Sequence, residues 1–295
     1  MKFRKGFVRI IKEYGCRGKR VAVTGASGGI GVELCRLILQ SGGELIVVDR
    51  NINKQTALIE KLRGEYPEAK ITGEIADMSS IADVKSLAQR LIGHDVTDLI
   101  LNAGAYSIPR CKCDTGYDNV FTINCISPLY LTRALLPTIK KNGGRAIAVG
   151  SIAHRYSHVD KDDIDFLQRK KSSLVYGNAK RYLMYSYFEM RKMGEPVVLA
   201  HPGITFTGIT SHYPRLIFAL IKHPMKVIFM KPSVACLSIF YSLFVTPRDE
   251  FWIGPCAFDV WGTPSVKELH SCDNEEYEFI SATTNKILET LEKDN

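Results

Sequence analysis

The segment Arg20-Val-Ala-Val-Thr24, followed by Gly25-Ala-Ser-Gly-Gly-Ile-Gly31, decides the fold. Its first five residues form an apolar run that predicts a buried strand, and the apolar spacing of residues 30–40 predicts a helix. The glycines between them permit a tight turn that brings backbone N–H groups together at the helix start. Such a point suits a pyrophosphate, because the N–H groups and the helix dipole both favour negative charge. The residues assigned to this loop site are Thr24, Gly25, Ser27, Gly28, Gly29, Ile30 and Gly31.

Apolar runs and helical patterns alternate along the rest of the chain. Further strands are predicted at 44–48, 69–72, 98–101, 145–149 and 196–200, and further helices at 54–66, 80–91, 116–141 and 173–193. This order predicts an α/β fold, a Rossmann-type doubly wound parallel sheet of about seven strands with helices on both faces. Residues 19–295 are expected to form one domain that ends in a helix packing back on the body.

A carboxylate follows the second predicted strand, at Asp49. At that place a carboxylate can accept hydrogen bonds from both ribose hydroxyls of NAD, and it repels a 2′-phosphate. Arg50, the next residue, is the contrary sign, because a guanidinium can turn toward that phosphate. The sequence therefore favours NAD as the cofactor and leaves NADP as the alternative.

The net charge of +8 resides in two segments. Residues 1–20 carry a net +7, residues 196–248 carry +5 without any acidic side chain, and the remainder carries −4. A uniformly basic nucleic-acid binder is therefore not expected. The eight cysteines form no C-x-x-C pair and have no zinc spacing to histidine, which predicts free thiols in a reducing compartment and no metal site.

Residues 1–18 combine basic side chains with large apolar ones at helical spacing. The apolar positions are Phe3, Phe7, Ile10, Ile11 and Tyr14. Such a basic amphipathic helix suits an anionic membrane surface, and the alternative is a helix docked on the domain with its charges in water. Because no secretory signal and no apolar segment of about 20 residues is found, we expect a cytoplasmic protein with peripheral membrane contact.

Seven motifs follow one another between residues 19 and 210. They are TGxxxGxG at 24–31, Asp77, Asn102-Ala103-Gly104, Asn124, Ser151, Tyr176-Gly-Asn-Ala-Lys180 and Pro202-Gly203. Each motif alone is common, but their order is specific. In these residues the chain resembles the short-chain dehydrogenase/reductase family, and the resemblance implies an oxidoreductase that interconverts alcohols and carbonyls.

Tyr176 and Lys180 lie four residues apart in a predicted helix and therefore share a face. An adjacent ammonium is expected to lower the pKa of the tyrosine toward neutrality, which makes Tyr176 the candidate general base, or the acid in the reverse direction. Ser151 would hydrogen-bond the substrate oxygen. The resemblance implies that Lys180 also holds the nicotinamide ribose and that Asn124 holds a water that links Lys180 to solvent.

The resemblance implies further cofactor contacts along the chain. Asp77 and Met78 would bracket the adenine, and Asn102, Ala103 and Gly104 would pack against the cofactor. Pro202, Gly203 and Ile204 would face the carboxamide, and Thr207 would reach the carboxamide or the diphosphate. Asp77 also has a structural alternative, as a helix-start residue before Ser79.

The interval from Ser151 to Tyr176 is about twice that of many family members. This insert, together with the sequence Ser151-Ile-Ala-His154, is similar to the retinol dehydrogenase-like branch. His154 is a candidate for the substrate pocket, and its alternative is an ordinary loop histidine. Residues 204–231 are predicted to form an apolar substrate lid, although packing of amphipathic helices explains the same pattern.

The expected activity is NAD(H)-dependent interconversion of a secondary or allylic alcohol and its carbonyl, on a large apolar substrate such as a steroid, bile acid or retinoid. Two alternatives stay open: an NADP(H)-dependent carbonyl reductase of the same fold, and a catalytically idle nucleotide-binding sensor or scaffold. A sugar epimerase is disfavoured, because the chain lacks a long C-terminal sugar-binding domain. The resemblance implies a homo-oligomer, either a dimer or a tetramer.

Overall fold

An eight-stranded sheet forms the middle layer of the computed structural model, which describes residues 10, 12–205, 230–269 and 272–293. The strands are β1 (Arg20–Thr24), β2 (Glu44–Asp49), β3 (Ile71–Ile75), β4 (Asp98–Leu101), β5 (Ala146–Val149), β6 (Val197–Ala200), β7 (Phe251–Ala257) and β8 (Trp261–Glu268). Their order is β3-β2-β1-β4-β5-β6-β7-β8, with all neighbours parallel except β7 and β8. The order reverses beside β1, which opens a crevice at the carboxyl ends of β1 and β4.

Helices cover both faces of this sheet. They are α1 (Gly29–Gln40), α2 (Ile52–Glu65), α3 (Ile81–Gly93), α4 (Ser127–Lys141), α5 (Ser172–Lys192), α6 (Pro232–Tyr241) and α7 (Asn274–Lys293). Because side chains alternate along a strand, Val21 and Val23 of β1 join a core with α1 and α6, whereas Ala22 joins a core with α3, α4, α5 and α7. The predicted doubly wound α/β fold is confirmed.

The predicted elements differ from the structure in several places. Strand β3 lies at Ile71–Ile75 rather than at 69–72. Helix α6 and strands β7 and β8 were given no predicted position, and the exposed and polar residues of β8 carry no apolar run. The helix predicted over 116–141 begins only at Asn119, where Asp118 accepts hydrogen bonds from the N–H groups of Val120 and Phe121. It then passes through a π-helical turn, Thr122–Ile126, before α4.

Two predicted segments fall largely outside the described residues. In the amphipathic helix residues 1–9 and 11 are not described, and in the lid residues 206–229 are not described. The end of the first segment is described, and Tyr14 stacks on Phe244 with ring centroids 4.9 Å apart. That contact supports docking of this end on the domain. Among the described residues, none of the helices is both long and apolar enough to cross a bilayer.

Candidate active site

Two glycines allow the loop between β1 and α1 to pack closely against neighbouring backbone atoms. Gly25 has a φ of +63°, and a Cβ there would lie 2.8 Å from Cα of Ala103. A Cβ on Gly31 would lie 2.5 Å from the carbonyl oxygen of Gly25. Both distances are shorter than van der Waals contact, so any side chain at these positions would push the loop open.

The start of α1 offers unpaired N–H groups to a ligand. Its N-cap is Gly28, no side chain caps it, and no acidic residue stands in its first turn. A cleft of about 650 Å³ opens in front of it, a volume suited to a small-molecule ligand. The predicted residues that line this cleft are Thr24, Gly25, Ser27, Gly28, Gly29, Ile30, Asp49, Arg50, Asp77, Met78, Asn102, Ala103 and Gly104.

Asp49 ends β2 and lies against the glycine loop, with 7% of its surface exposed. Its carboxylate accepts hydrogen bonds from the backbone N–H of Ser27, at 3.1 Å, and from the Ser27 hydroxyl, at 2.9 Å. Burial raises the pKa of Asp49, while the bonds from Ser27 lower it. Arg50 and Lys54 line the same cleft, so basic side chains stand close to this carboxylate.

Asn102, which follows β4, braces the loop from the other side, whereas Asp77, which follows β3, bonds within its own turn. Nδ2 of Asn102 donates to the carbonyl oxygens of Thr24 and Gly25, at 3.1 and 3.0 Å. Asp77 accepts from the N–H and the hydroxyl of Ser79, at 2.8 and 2.7 Å, while it also lines the cleft. The structural alternative for Asp77 therefore coexists with its place at the predicted site.

The structure brings Ser151, Tyr176 and Lys180 together. Lys180 is 3% exposed, and its Nζ donates to the carbonyl oxygen of Val149 at 2.8 Å and lies 5.7 Å from the centroid of the Tyr176 ring. The Ser151 hydroxyl lies close enough to the phenol of Tyr176 to lower its pKa. Ser151 also caps a short 3₁₀ helix, Ile152–Tyr156, by accepting from the N–H of Ala153.

The electrostatics of this group differ from the sequence expectation. Burial raises the pKa of Tyr176 to about 12, against a hydrogen bond from Ser151 that lowers it. Burial also lowers the pKa of Lys180 to about 8. The expected shift of the tyrosine toward neutrality was therefore wrong for this geometry, because desolvation outweighs the hydrogen bond from Ser151.

Asn124 lies fully buried in the π-helical turn. Its Nδ2 donates to the carbonyl oxygens of Ala105 and Val120, at 2.8 and 2.9 Å, and its Oδ1 accepts from the N–H of Ala105. A Cβ on Gly104 would lie 2.9 Å from this Oδ1 and 4.0 Å from Nζ of Lys180. Asn124 thus ties the segment after β4 to the surroundings of Lys180, and its water-holding role stays a prediction.

His154 and the turn after β6 lie apart from the lining of the cleft. The His154 ring is fully buried edge-on to Trp252, its Nδ1–H donates to the carbonyl oxygen of Ser151 at 2.6 Å, and burial lowers its pKa to about 4. This packing favours the ordinary-histidine alternative, and substrate contact stays a prediction. Pro202, Gly203 and Ile204 follow β6, with Gly203 at a φ of +83°, and Thr207 lies outside the described residues.

Comparison with known proteins shows the family to which this chain is similar. The family profile described as short chain dehydrogenase matches residues 19–160. This chain belongs to the short-chain dehydrogenase/reductase family. Retinol dehydrogenase 13 from Homo sapiens is 29% identical over 203 residues, which cover 66% of this chain and 61% of the relative. Polyprenol dehydrogenase from Homo sapiens is 24% identical over 250 residues, which cover 80% and 71%. The matched region thus spans about three fifths of the length of retinol dehydrogenase 13.

Solved structures share the fold of this short-chain dehydrogenase. An uncharacterized protein from Mycobacterium paratuberculosis superposes with a TM-score of 0.71 at 20% identity, covering 95% of this chain and 97% of its own. A short-chain dehydrogenase from Sphingobium yanoikuyae in complex with NADPH has a TM-score of 0.52 at 24% identity, covering 65% and 74%. At these identities the likeness concerns the fold.

Tyr106 is a site residue of this short-chain dehydrogenase that the sequence reasoning missed. Its ring lines the cleft and meets the Tyr176 ring edge-on, with centroids 5.4 Å apart and planes at 86°. Tyr106 therefore joins the glycine-loop end of the crevice to Tyr176, the predicted general acid or base. The available signal was its place, two residues after Asn102-Ala103-Gly104, at the carboxyl edge of a parallel sheet where ligands bind.

Proposed function

We propose that this short-chain dehydrogenase transfers a hydride between NAD(H) and a secondary or allylic alcohol, or its carbonyl, of a large apolar molecule. The observation that carries the proposal is the meeting of Ser151, Tyr176 and Lys180 beside a cleft whose floor is an uncapped helix start. An idle nucleotide-binding scaffold has no chemical need for a buried lysine next to a buried phenol.

The residues present fit a nicotinamide dinucleotide. The N–H groups at the start of α1 suit the pyrophosphate, and the Asp49 carboxylate suits a ribose with two free hydroxyls. When bound, the cofactor supplies the hydride acceptor or donor. Arg50 and Lys54 line the same cleft and favour a second candidate, an NADP(H)-dependent carbonyl reductase. The buried carboxylate supports NAD, because it would repel a 2′-phosphate.

Proton transfer falls to Tyr176. Its phenolate takes the proton of the alcohol during oxidation, and its phenol gives a proton to the carbonyl oxygen during reduction. The Ser151 hydroxyl donates a hydrogen bond to the same oxygen. With a pKa near 12, Tyr176 keeps its proton at neutral pH. The phenol is thus ready to act as the acid in carbonyl reduction, and oxidation is expected to accelerate as the pH rises.

The substrate class rests on two independent supports. Residues 204–231, the predicted lid, contain many large apolar side chains and no acidic ones. The names of two similar proteins, retinol dehydrogenase 13 and polyprenol dehydrogenase, both specify apolar alcohols. A large apolar alcohol therefore suits this chain better than a sugar or a short polar acid.

The test is turnover of a panel of retinoid and steroid alcohols with NAD+ and NADP+, comparing the parent with Tyr176→Phe. We expect the parent to reduce NAD+ and the variant to lose about 10²- to 10⁴-fold in kcat, the usual contribution of a general acid or base. NADH binding, followed by fluorescence, should be the same in both. Parent protein that binds NADH but turns over nothing in the panel would instead be a nucleotide-binding sensor.

We also propose that residues 1–14 contact an anionic membrane surface and that the protein is a homo-oligomer. The alternation of basic and large apolar residues supports the first proposal. Deletion of residues 1–17 should abolish co-sedimentation with phosphatidylserine vesicles, with phosphatidylcholine vesicles as the control. Equal partition of the full chain and the deletion variant would contradict membrane contact. Sedimentation equilibrium of the full chain tests the second proposal, and a monomer would refute it.

A further inference from the structure

A buried guanidinium lies next to the catalytic group on α5. Arg181 follows Lys180 in sequence, and its side chain is 3% exposed. Its Nη1 donates to the carbonyl oxygen of His154 at 3.1 Å, and its Nη2 is ion-paired with Glu276 of α7. The ion pair therefore connects the C-terminal helix to the main chain of the 3₁₀ helix that Ser151 caps.

Glu276 makes a second contact with the chain segment that contains the 3₁₀ helix. Its Oε1 accepts from the backbone N–H of Val159 at 2.9 Å, while its Oε2 faces Arg181. Burial raises the pKa of Glu276, but the bonds from Val159 and Arg181 outweigh it and hold that pKa below the usual value. The carboxylate is thus ionised. It holds Val159, which follows the 3₁₀ helix, and through Arg181 it holds His154, which lies within that helix.

The 3₁₀ helix connects these contacts to Ser151. The Nδ1–H of His154 donates to the Ser151 carbonyl oxygen at 2.6 Å. A Cβ on Gly177 of α5 would lie 2.4 Å from the carbonyl oxygen of Ala153, so the 3₁₀ helix packs directly on α5. A continuous set of contacts therefore runs from Glu276 through Arg181 and His154 to the main chain of Ser151, whose hydroxyl influences the pKa of Tyr176.

We propose that Arg181 and Glu276 are positioning residues for the reaction, which hold Ser151 within hydrogen-bond reach of Tyr176 and of the substrate oxygen. The proposal rests on the proposed function, since it assigns these residues to the same chemistry. In this proposal α7 contributes to positioning of the active site, although α7 lies beyond the segment matched by the family profile.

The chain offers a matched control for this test. Glu275, the neighbour of Glu276 on α7, pairs with Lys161 at 2.5 Å, but the Glu275 side chain is 80% exposed. Exposed pairs contribute little to stability, whereas loss of one partner of a buried pair leaves an uncompensated charge. Glu275→Gln therefore changes the same charge at the same end of α7 without touching the proposed contacts.

The kinetic arm compares Glu276→Gln, Arg181→Lys and Glu275→Gln, with the panel alcohol that the parent oxidises best. Displacement of Ser151 by about 1 Å should lower kcat of Glu276→Gln by up to about 100-fold, with the dissociation constant of NADH unchanged. Arg181→Lys keeps the charge but loses the planar fork, so its loss should be intermediate. Glu275→Gln should match the parent. A kcat of Glu276→Gln equal to that of the parent would overturn the proposal.

A second arm needs no turnover. The ¹³Cζ resonance of labelled Tyr176, assigned through Tyr176→Phe, reports its hydrogen bond with Ser151 at neutral pH. We expect this resonance to move in Glu276→Gln and to stay in place in Glu275→Gln. If hydrogen exchange at the Val159 amide accelerates while the resonance stays fixed, the ion pair is merely structural and the proposal is wrong. A parent without turnover would refute the proposed function alone, since the resonance still decides the positioning role.

Discussion

The glycine loop lines the cleft and the Ser151–Tyr176 pair lies beyond its lining, where Tyr176 contacts Tyr106, but different features hold the two ends. The loop depends on missing side chains: a Cβ on Gly25 or Gly31 would collide with backbone atoms. The Ser151–Tyr176 pair depends on side chains that are present, including the buried charges of Lys180 and Arg181. The loop end is therefore sensitive to added atoms and the catalytic end to removed ones.

Each end also buries an ionisable group beside the ligand. Asp49 at the loop end has its pKa raised by burial, and Lys180 at the catalytic end has its pKa lowered by burial. Both shifts show that the folded protein disfavours the charged form, which is the form that the proposed function uses. Such sites commonly lower stability for the sake of activity. Substitutions at the two ends should reveal this cost separately.

The largest effect is expected for Lys180→Met. Loss of the ammonium beside Tyr176 should lower kcat by about 10²- to 10³-fold, in line with the removal of one preorganised electrostatic group. The same change should stabilise the fold at neutral pH, because a pKa of about 8 against an ordinary 10.5 corresponds to about 3 kcal/mol of unfavourable charge burial. Chemical unfolding at pH 7 measures that gain.

The pH dependence of this gain follows from the direction of the shift. Below pH 8 the lysine is charged in both states, so the folded state carries the full burial cost. Between pH 8 and 10.5 the unfolded state holds more protons, and the stability of the parent rises toward that of the variant. The difference between the two should therefore disappear over this range. Lys61→Met, exposed on α2, is the control, and a constant difference would contradict the assignment.

The loop end could be predicted from sequence because its signals are local. A strand, four glycines and the start of a helix follow within twelve residues, and Asp49 is marked by the end of the next apolar run. At the catalytic end, Ser151, Tyr176 and Lys180 were named from spaced motifs, and the structure brings them together.

The supports of the catalytic end could not be predicted, because they join distant segments without a periodic pattern. Arg181 and Glu276 are 95 residues apart, and each looks like an ordinary charged residue on a helix. The burial of His154 depends on Trp252, which belongs to a strand near the end of the chain. The pKa of Tyr176 was misjudged for the same reason, since desolvation depends on packing that spacing does not record.

An intermediate effect is expected for Asp49→Ser at the loop end. Removal of the carboxylate should raise kcat/KM for NADP+ relative to NAD+ by about tenfold, equal to about 1.4 kcal/mol, because the repulsion of a 2′-phosphate is lost while Arg50 and Lys54 remain. Ser27→Ala is the matched control, because it removes one hydrogen bond to Asp49 and keeps the charge. Equal losses for both cofactors in Asp49→Ser would show that Asp49 serves only to hold the loop.

The smallest effect is expected where the two ends meet, at Tyr106→Phe. The charge that Tyr106 can carry raises the pKa of Tyr176, so loss of its hydroxyl should lower that pKa while the edge-on ring contact stays. Oxidation needs deprotonated Tyr176. The alkaline limb of the pH profile for oxidation should therefore move to lower pH by less than about one unit, which corresponds to a change of under about 1.4 kcal/mol in the free energy of ionising Tyr176. Tyr106→Ala removes the ring as well and should raise KM for NAD+, because Tyr106 lines the cleft. If Tyr106→Phe leaves the pH profile unchanged while Tyr106→Ala raises KM, Tyr106 shapes the cleft without tuning the base, and the two ends are electrostatically independent.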